Sequence, residues 1–197
     1  MKSNIILSGV GGQGILTIAA VLDTAALSEN LNVKQSEVHG MSQRGGAVLS
    51  HVRISDEEIY SDLIPKGSAD MILSVEPMEL LRHIPFLKNG GWLITDSKTF
   101  ENILDYPKKD NLYKQIMSHP NHIIIKATDV AKELGNSKTA NMVLLGAASS
   151  LIPLKEISFQ NAIKTLFKSK SEKIINLNLE AFEAGKKLAQ NYTEFVF

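Results

Sequence analysis

The chain contains no cysteine. Disulfides, thiolate zinc sites, cysteine-held iron–sulfur clusters and cysteine nucleophiles are therefore excluded together. Charge of one sign is also missing: 21 basic and 21 acidic side chains cancel to a formal net charge of +0. A neutral balance opposes broad contact with nucleic acid or an acidic membrane surface. It also leaves an isolated chain little charge protection against association, which suits life inside a complex. Long hydrophobic runs are lacking too. The apolar stretches are too short to span a bilayer, and the first one enters a glycine loop where a leader would continue its hydrophobic region. A cytoplasmic protein is expected. With 197 residues, 44% of them hydrophobic, residues 1–197 suffice for a single α/β domain with one good core.

The apolar run Asn4-Ile5-Ile6-Leu7, followed at once by glycine, predicts a buried parallel strand. Ile15, Leu16, Ala19, Leu22 and Ala26 then recur at helical spacing from Gly14 to about Leu27. A second strand around Val33, ending near Gln35 or Ser36, completes a right-handed β-α-β opening. Ala47–Ile54 alternates as a half-exposed strand would, with Asp56-Glu57-Glu58 as a turn and Ile59-Tyr60-Ser61 as a short return strand. Ala69–Ser74 reads as a central strand. Glu76-Pro77-Met78-Glu79 starts a helix with Pro77 in its first turn, and its two carboxylates are favourable charges at that start. Trp92–Thr95 is a further strand ending at Asp96. Ser97–Pro120 is polar and poorly periodic, an excursion over the surface. His122–Lys126 returns to strand, and Thr128-Asp129 can cap a helix from about Val130. Helices are expected over 138–151, 158–167 and 177–190, with Tyr192, Phe195, Val196 and Phe197 as an apolar tail.

Two glycine-rich segments carry the functional signal. Gly9-Val10-Gly11-Gly12-Gln13-Gly14 has glycines at the first, third and sixth positions between a strand and a helix, as a dinucleotide loop does. The first glycine permits a tight turn, the second close approach of phosphate or backbone, and the third tight helix–strand packing. An anion could lie on the free N–H groups of the helix start. Against a nicotinamide cofactor, Gln35 and Ser36 stand where the acidic ribose partner belongs, with Glu37 displaced. No lysine-serine pair ends the loop, so it is not an ATP-hydrolysing P-loop.

In the second segment, Glu37 to Gly46, Arg44 can grip a carboxylate or phosphate bidentately while Gly45 and Gly46 keep its flank clear. Glu37 could fix that arginine, and His39 or Gln43 could add hydrogen bonds. Bracing of a loop or interface is the alternative role. Asn141, just ahead of an apolar helical face, either satisfies backbone near the glycine loop or reaches a ligand. Asp70, Asp96 and Asp129 define no metal site, and His119-Pro120-Asn121-His122 reads as a turn. No metal is expected.

Glu37-Val-His-Gly-Met-Ser-Gln-Arg-Gly-Gly46, together with the first loop, Val52-Arg-Ile-Ser55, Gly67-Ser-Ala-Asp70, Glu76-Pro77, Gly90-Gly91 and Asn141-Met-Val-Leu-Leu-Gly146, resembles the gamma-type subunit or domain of 2-oxoacid:ferredoxin oxidoreductases. The matching segments span about three quarters of the chain. The histidine-bearing one looks most like the beta subunit of the indolepyruvate branch. The resemblance implies a three-layer, Rossmann-like α/β fold with a mostly parallel sheet and an inserted antiparallel element.

It also implies a complex that decarboxylates a 2-oxoacid with thiamine diphosphate, passes electrons through iron–sulfur clusters to ferredoxin and forms an acyl-CoA from coenzyme A. In that family the larger alpha subunit carries the thiamine and the cluster-binding cysteines, so this chain would hold neither and show little activity alone. Gly9, Gly11, Gly12, Gln13 and Gly14 would form the signature turn, and Arg44-Gly45-Gly46 a loop near inter-subunit surfaces. A stand-alone nucleotide-binding module and a purely structural assembly subunit are the competing readings.

Overall fold

In a computed structural model describing residues 1–40 and 45–194, six strands form one sheet in the order β2-β3-β1-β4-β5-β6. β1 (Lys2–Val10) occupies a central position and is buried from Ser3 onward. It pairs parallel with β4 (Ala69–Ser74), which continues in parallel through β5 (Leu87–Asp96) to β6 (His122–Ile125). On its other side β1 pairs antiparallel with β3 (Ala47–Ser55), from Lys2 opposite Ser55 to Val10 opposite Ala47. β2 (Asn32–His39) lies outside β3, also antiparallel to it. The sheet is thus mostly parallel with an antiparallel insert.

Helices cover both faces. One face packs α1 (Ile15–Ser28), α4 (Ala127–Glu133), α5 (Ala140–Ser149), α6 (Glu156–Leu166) and α7 (Glu172–Glu194) around Ile5, Leu7, Val52 and Leu73. The smaller core on the other face joins Ile6, Ile72 and Leu93 to Leu80 of α2 (Pro77–Arg82) and Ile116 of α3 (Lys109–Met117). α1 leaves β1 on one face and α2 leaves β4 on the other. The boundary between these strands is a topological switch point, the usual place for a ligand crevice in such sheets.

Several expectations need correction. Ile59-Tyr60-Ser61 is not a strand; β3 finds its antiparallel partners in β1 and β2. β3 is not half-exposed. His51 and Ser50 are buried within it, and its polar side chains are held: His51 Nδ1 accepts from the Ile64 amide at 3.0 Å, and Arg53 donates to Asn4 Oδ1 and to the Ser61 and Leu63 carbonyls. Alternating polarity here records buried hydrogen bonds, which burial requires of polar groups. β2 runs on to His39, past the expected end at Gln35 or Ser36.

The polar excursion contains α3, anchored by only Leu112 and Ile116 at i,i+4 spacing, too few apolar positions for a periodic signal. α4 starts at Ala127 with Lys126 at its N-cap, so Thr128 lies inside the helix and serves another partner. Pro77 does open α2, with Glu76 as N-cap accepting from the Glu79 amide at 2.8 Å. α7 begins at Glu172, a turn earlier than expected. Of the tail, Tyr192 packs against the main core, and Phe195, Val196 and Phe197 lie outside the described residues.

α5 is buried along its whole length, and Gly146 and Gly185 explain how α7 approaches it. A Cβ at Gly146 would enter the Phe182 carbonyl, and one at Gly185 the Val143 carbonyl. The two helices touch backbone to backbone, which only glycine allows. Gly146→Ala is expected to lower stability by about 1–3 kcal/mol through overpacking, read as a fall in the urea midpoint.

Asp23 of α1 supplies a pH-dependent counterpart. Its Oδ1 is buried and unpartnered among the described residues, and burial pushes the carboxyl from its ordinary 3.8 to about 6. Below about pH 4 the group is protonated in both folded and unfolded chains and costs nothing. As pH rises towards 6 the unfolded chain releases its proton first, so the fold loses stability. Asp23→Asn is expected to stabilise the protein at pH 7.5 by up to about 3 kcal/mol, with the gain shrinking towards pH 4 in parallel denaturation curves.

Candidate functional site

Residues 9–14 leave the end of β1 and enter α1 as a tight turn whose polar groups are largely used internally. Gln13 folds back so that its Oε1 accepts from the Val10 amide at 2.7 Å, and its own amide donates to the Val10 carbonyl at 3.1 Å. A Cβ at Gly9 would meet the Ile15 side chain at 2.7 Å and Gln13 Oε1 at 2.9 Å, so glycine is what lets these two side chains close on the turn. Gly14 is the N-cap of α1 with φ of 80°. A Cβ there would lie 2.5 Å from Asn141 Nδ2, the same nitrogen that donates to the Gly14 carbonyl at 3.2 Å. Asn141 thus satisfies backbone at the glycine loop, one of its two expected roles. The amides of Gly12 and Gly14 have no hydrogen-bond partner among the described residues.

The β3–β1 register carries the second glycine segment onto the first. The Gly11 amide donates to the Gly46 carbonyl at 2.8 Å, and the Gly45 carbonyl accepts from Asn102 Nδ2 at 2.8 Å. Glu37 stands within β2, opposite Ser50, and His39 ends that strand opposite Val48. Gln43, Arg44 and the His39 side chain lie outside the described residues, and with them the expected fixing of Arg44 by Glu37 and the further hydrogen bonds of His39 or Gln43. The insertion of β3 also bears on dinucleotide binding. β2 sits one strand further from β1 than in a simple β-α-β unit, about 5 Å, which removes its carboxyl end from the usual ribose position.

A cleft of about 750 Å³ opens at the carboxyl ends of the parallel strands, beside the switch point. Gly12, Gln13 and Gly14 form one wall, Val75, Asp96 and Lys98–Phe100 follow β4 and β5, and the starts of α4 and α5 complete the rim. Phe167, Ile174 and Asn178, at the junction of α6 and α7, supply a partly apolar side. Its charged lining is Lys98, Lys138 and Lys170 against Asp96 alone. None of the three lysines has an ion-pair partner among the described residues.

Asp96 is nearly buried, and each oxygen is taken. Oδ1 accepts from the Lys98 amide at 3.1 Å; Oδ2 accepts from the Thr128 amide at 3.0 Å and from the Thr128 hydroxyl. Burial pushes its carboxyl above the ordinary range, and the Thr128 hydroxyl pulls it back in part. It is a brace between the β5 end and α4. The start of α1 at Gly14, with no side-chain cap, and the start of α5 at Thr139, whose Met142 amide is held by Asn141 Oδ1, both lack an acidic residue in the first turn and add positive potential at the same place. The lining therefore suits an anion with an apolar appendage.

The sequence singled out the glycine loop and Asn141, which the fold brings together. It did not single out Lys98, Lys138 or Lys170, which come from three separate connections and share no local spacing, and it read Thr128 only as a cap. Among the described residues no group of three or more histidine and carboxylate side chains could hold a metal ion. No helix there is long and apolar enough to cross a membrane. Glu76 and Glu79 are both buried, more so than helix-start charges need be. Burial raises the Glu79 carboxyl above its ordinary range, against the pull of Arg82 and with a push from Glu76.

Gly14→Ala separates two demands at the loop. The left-handed backbone costs a non-glycine residue about 1–3 kcal/mol, and the added methyl collides with Asn141. Asn141→Ala in the same chain is expected to remove the collision but not the backbone cost. Urea denaturation of the two single variants and the double variant should show that partial rescue as a non-additive term.

Residues 4–188 match the pyruvate ferredoxin/flavodoxin oxidoreductase family. The chain is 40% identical over 197 residues to indolepyruvate oxidoreductase subunit IorB of Thermococcus kodakarensis, a match covering 95% of this chain and 96% of that one. The Pyrococcus horikoshii subunit of the same name is 37% identical over 195 residues, with 95% and 96% covered. Among solved structures, the keto/oxoacid ferredoxin oxidoreductase gamma subunit of Geobacter sulfurreducens superposes with a TM-score of 0.70 at 26% identity, covering 96% of this chain and 99% of that one. The 2-oxoglutarate:ferredoxin oxidoreductase of Magnetococcus marinus shares the fold at a TM-score of 0.76 and 23% identity, over 96% of this chain but 31% of its own. By a match that runs almost from end to end, the chain belongs to the pyruvate ferredoxin/flavodoxin oxidoreductase family.

Proposed function

We propose that this chain, folding as one domain, is the gamma-like (beta) subunit of a 2-oxoacid:ferredoxin oxidoreductase acting on indolepyruvate or another aryl pyruvate. The observation that carries the proposal is the alignment over nearly the full length of both chains with IorB subunits named for indolepyruvate. The partner in this reading is a larger alpha subunit, with ferredoxin as electron acceptor of the complex. Thiamine diphosphate on that partner supplies the decarboxylation chemistry, and its iron–sulfur clusters supply electron transfer. The donor set of this chain does not fit such clusters, because it has no cysteine.

This subunit's own contribution is then binding and positioning. The lysine-lined cleft is the place on it for the phosphates of coenzyme A. Lys98, Lys138 and Lys170 face the charge, the amides of Gly12 and Gly14 supply donors, and Phe167 and Ile174 offer apolar surface to the base. Gly9, Gly11, Gln13 and Asn141 shape that wall, and Glu37, Gly45 and Gly46 belong to the neighbouring surface offered to the partner.

Co-expression with the cysteine-bearing partner tests the reading. Coenzyme-A-dependent ferredoxin reduction is expected only in the joint preparation, and fastest with indolepyruvate. Robust turnover by this chain alone would overturn it, and preference for another acid would change the substrate. In the complex, Lys138→Ala with Lys170→Ala is expected to raise the KM for coenzyme A by about tenfold, roughly 1.4 kcal/mol, while leaving the KM for the oxoacid unchanged.

A further inference from the structure

The connection from β5 to α3 spans residues 97–108 and has no helix or strand of its own. Strand-to-helix connections in such folds are commonly about 2–6 residues, and longer ones tend to be functional. This one is tied down at both ends and in the middle. Its root is held by the Lys98 amide on Asp96 Oδ1 and by the Tyr113 hydroxyl on the Ser97 carbonyl. Its middle reaches the second glycine segment through Asn102 Nδ2 and the Gly45 carbonyl. Its far end returns to Glu76, whose Oε1 accepts from the Tyr106 hydroxyl and from the Phe100 amide at 3.4 Å. Glu76 is completely buried, so these donors, with the Glu79 amide on Oε2, replace water around its carboxyl.

Lys98, Thr99 and Phe100 line the cleft. Phe100, Ile103 and Leu104 expose 46%, 43% and 105% of their surface, so the segment's apolar side chains are not what fastens it. Hydrogen bonds hold it, at Glu76 and at Gly45. The second tie continues inward, because Gly46 accepts from the Gly11 amide of the first loop.

We propose that residues 97–106 form a lid on the cleft, latched by Tyr106 on Glu76, whose state is felt at the glycine loop through Asn102, Gly45 and Gly46. Tyr106 and Asn102 are positioning residues: neither lines the cleft. The lid rests on the cleft being the ligand site proposed above; the latch itself does not.

Hydrogen exchange on the full chain, with and without coenzyme A as the probe, tests both. Tyr106→Phe keeps the ring and removes the latch. It is expected to speed exchange across 98–106 by about tenfold or more, to speed exchange at 11–14 in step, and to weaken coenzyme A binding, with α5 and α7 unchanged. Asn102→Ala is expected to loosen 98–106 less and 11–14 more. In the unaltered chain coenzyme A should slow exchange at both segments. Unchanged exchange at 98–106 in both variants would overturn the latch. Faster exchange there with 11–14 and coenzyme A affinity unaltered would overturn the lid. If the unaltered chain binds no coenzyme A yet both segments loosen together in Tyr106→Phe, the ligand assignment falls and the coupled latch stands.

Discussion

The antiparallel register of β3 against β1 is the constraint on which the rest depends. It pairs Val10 with Ala47, so the chain just before β3 must lie against the chain just after β1. Gly11 and Gly46, 35 positions apart in sequence, are thereby brought together and joined by a backbone hydrogen bond. Shifting that register by one residue would turn Val52 and Ile54 out of the main core and His51 and Arg53 into it. Apolar packing on one face and buried polar bonding on the other therefore hold the same alignment that assembles the loops.

Much of this was open to sequence reasoning, for identifiable reasons. β1, β4 and the end of β5 are short apolar runs stopped by glycine, serine or aspartate. Pro77 and Glu76 mark a helix start that needs no tertiary help. The Asn141–Gly14 bond was anticipated as one of two roles because a polar side chain opening a buried helix must satisfy something nearby. The central place of β3 was not legible. Ser50, His51 and Arg53 make it look half-wet, and only the tertiary partners Ile64, Asn4, Ser61 and Leu63 account for their burial or ties. The cleft lysines were equally silent, since their association arises from three connections meeting at one end of the sheet.

The internal bonding of the glycine loop changes what its pattern means. In a dinucleotide fold the turn offers its amides outward. Here the Val10, Gly11 and Gln13 amides are occupied by the loop itself or by Gly46, leaving Gly12 and Gly14 beside the cleft. Recognition of an anion consequently shifts towards side chains on neighbouring connections.

The bond from Asn141 to Gly14 joins α1 and α5, both on the larger helical layer. Glu76, which fastens the 97–106 segment, starts α2 on the opposite layer. The two walls of the cleft are therefore anchored on different sides of the sheet, so a protein bound over α2 would touch the element that fastens residues 97–106 without touching the helices behind the glycine loop.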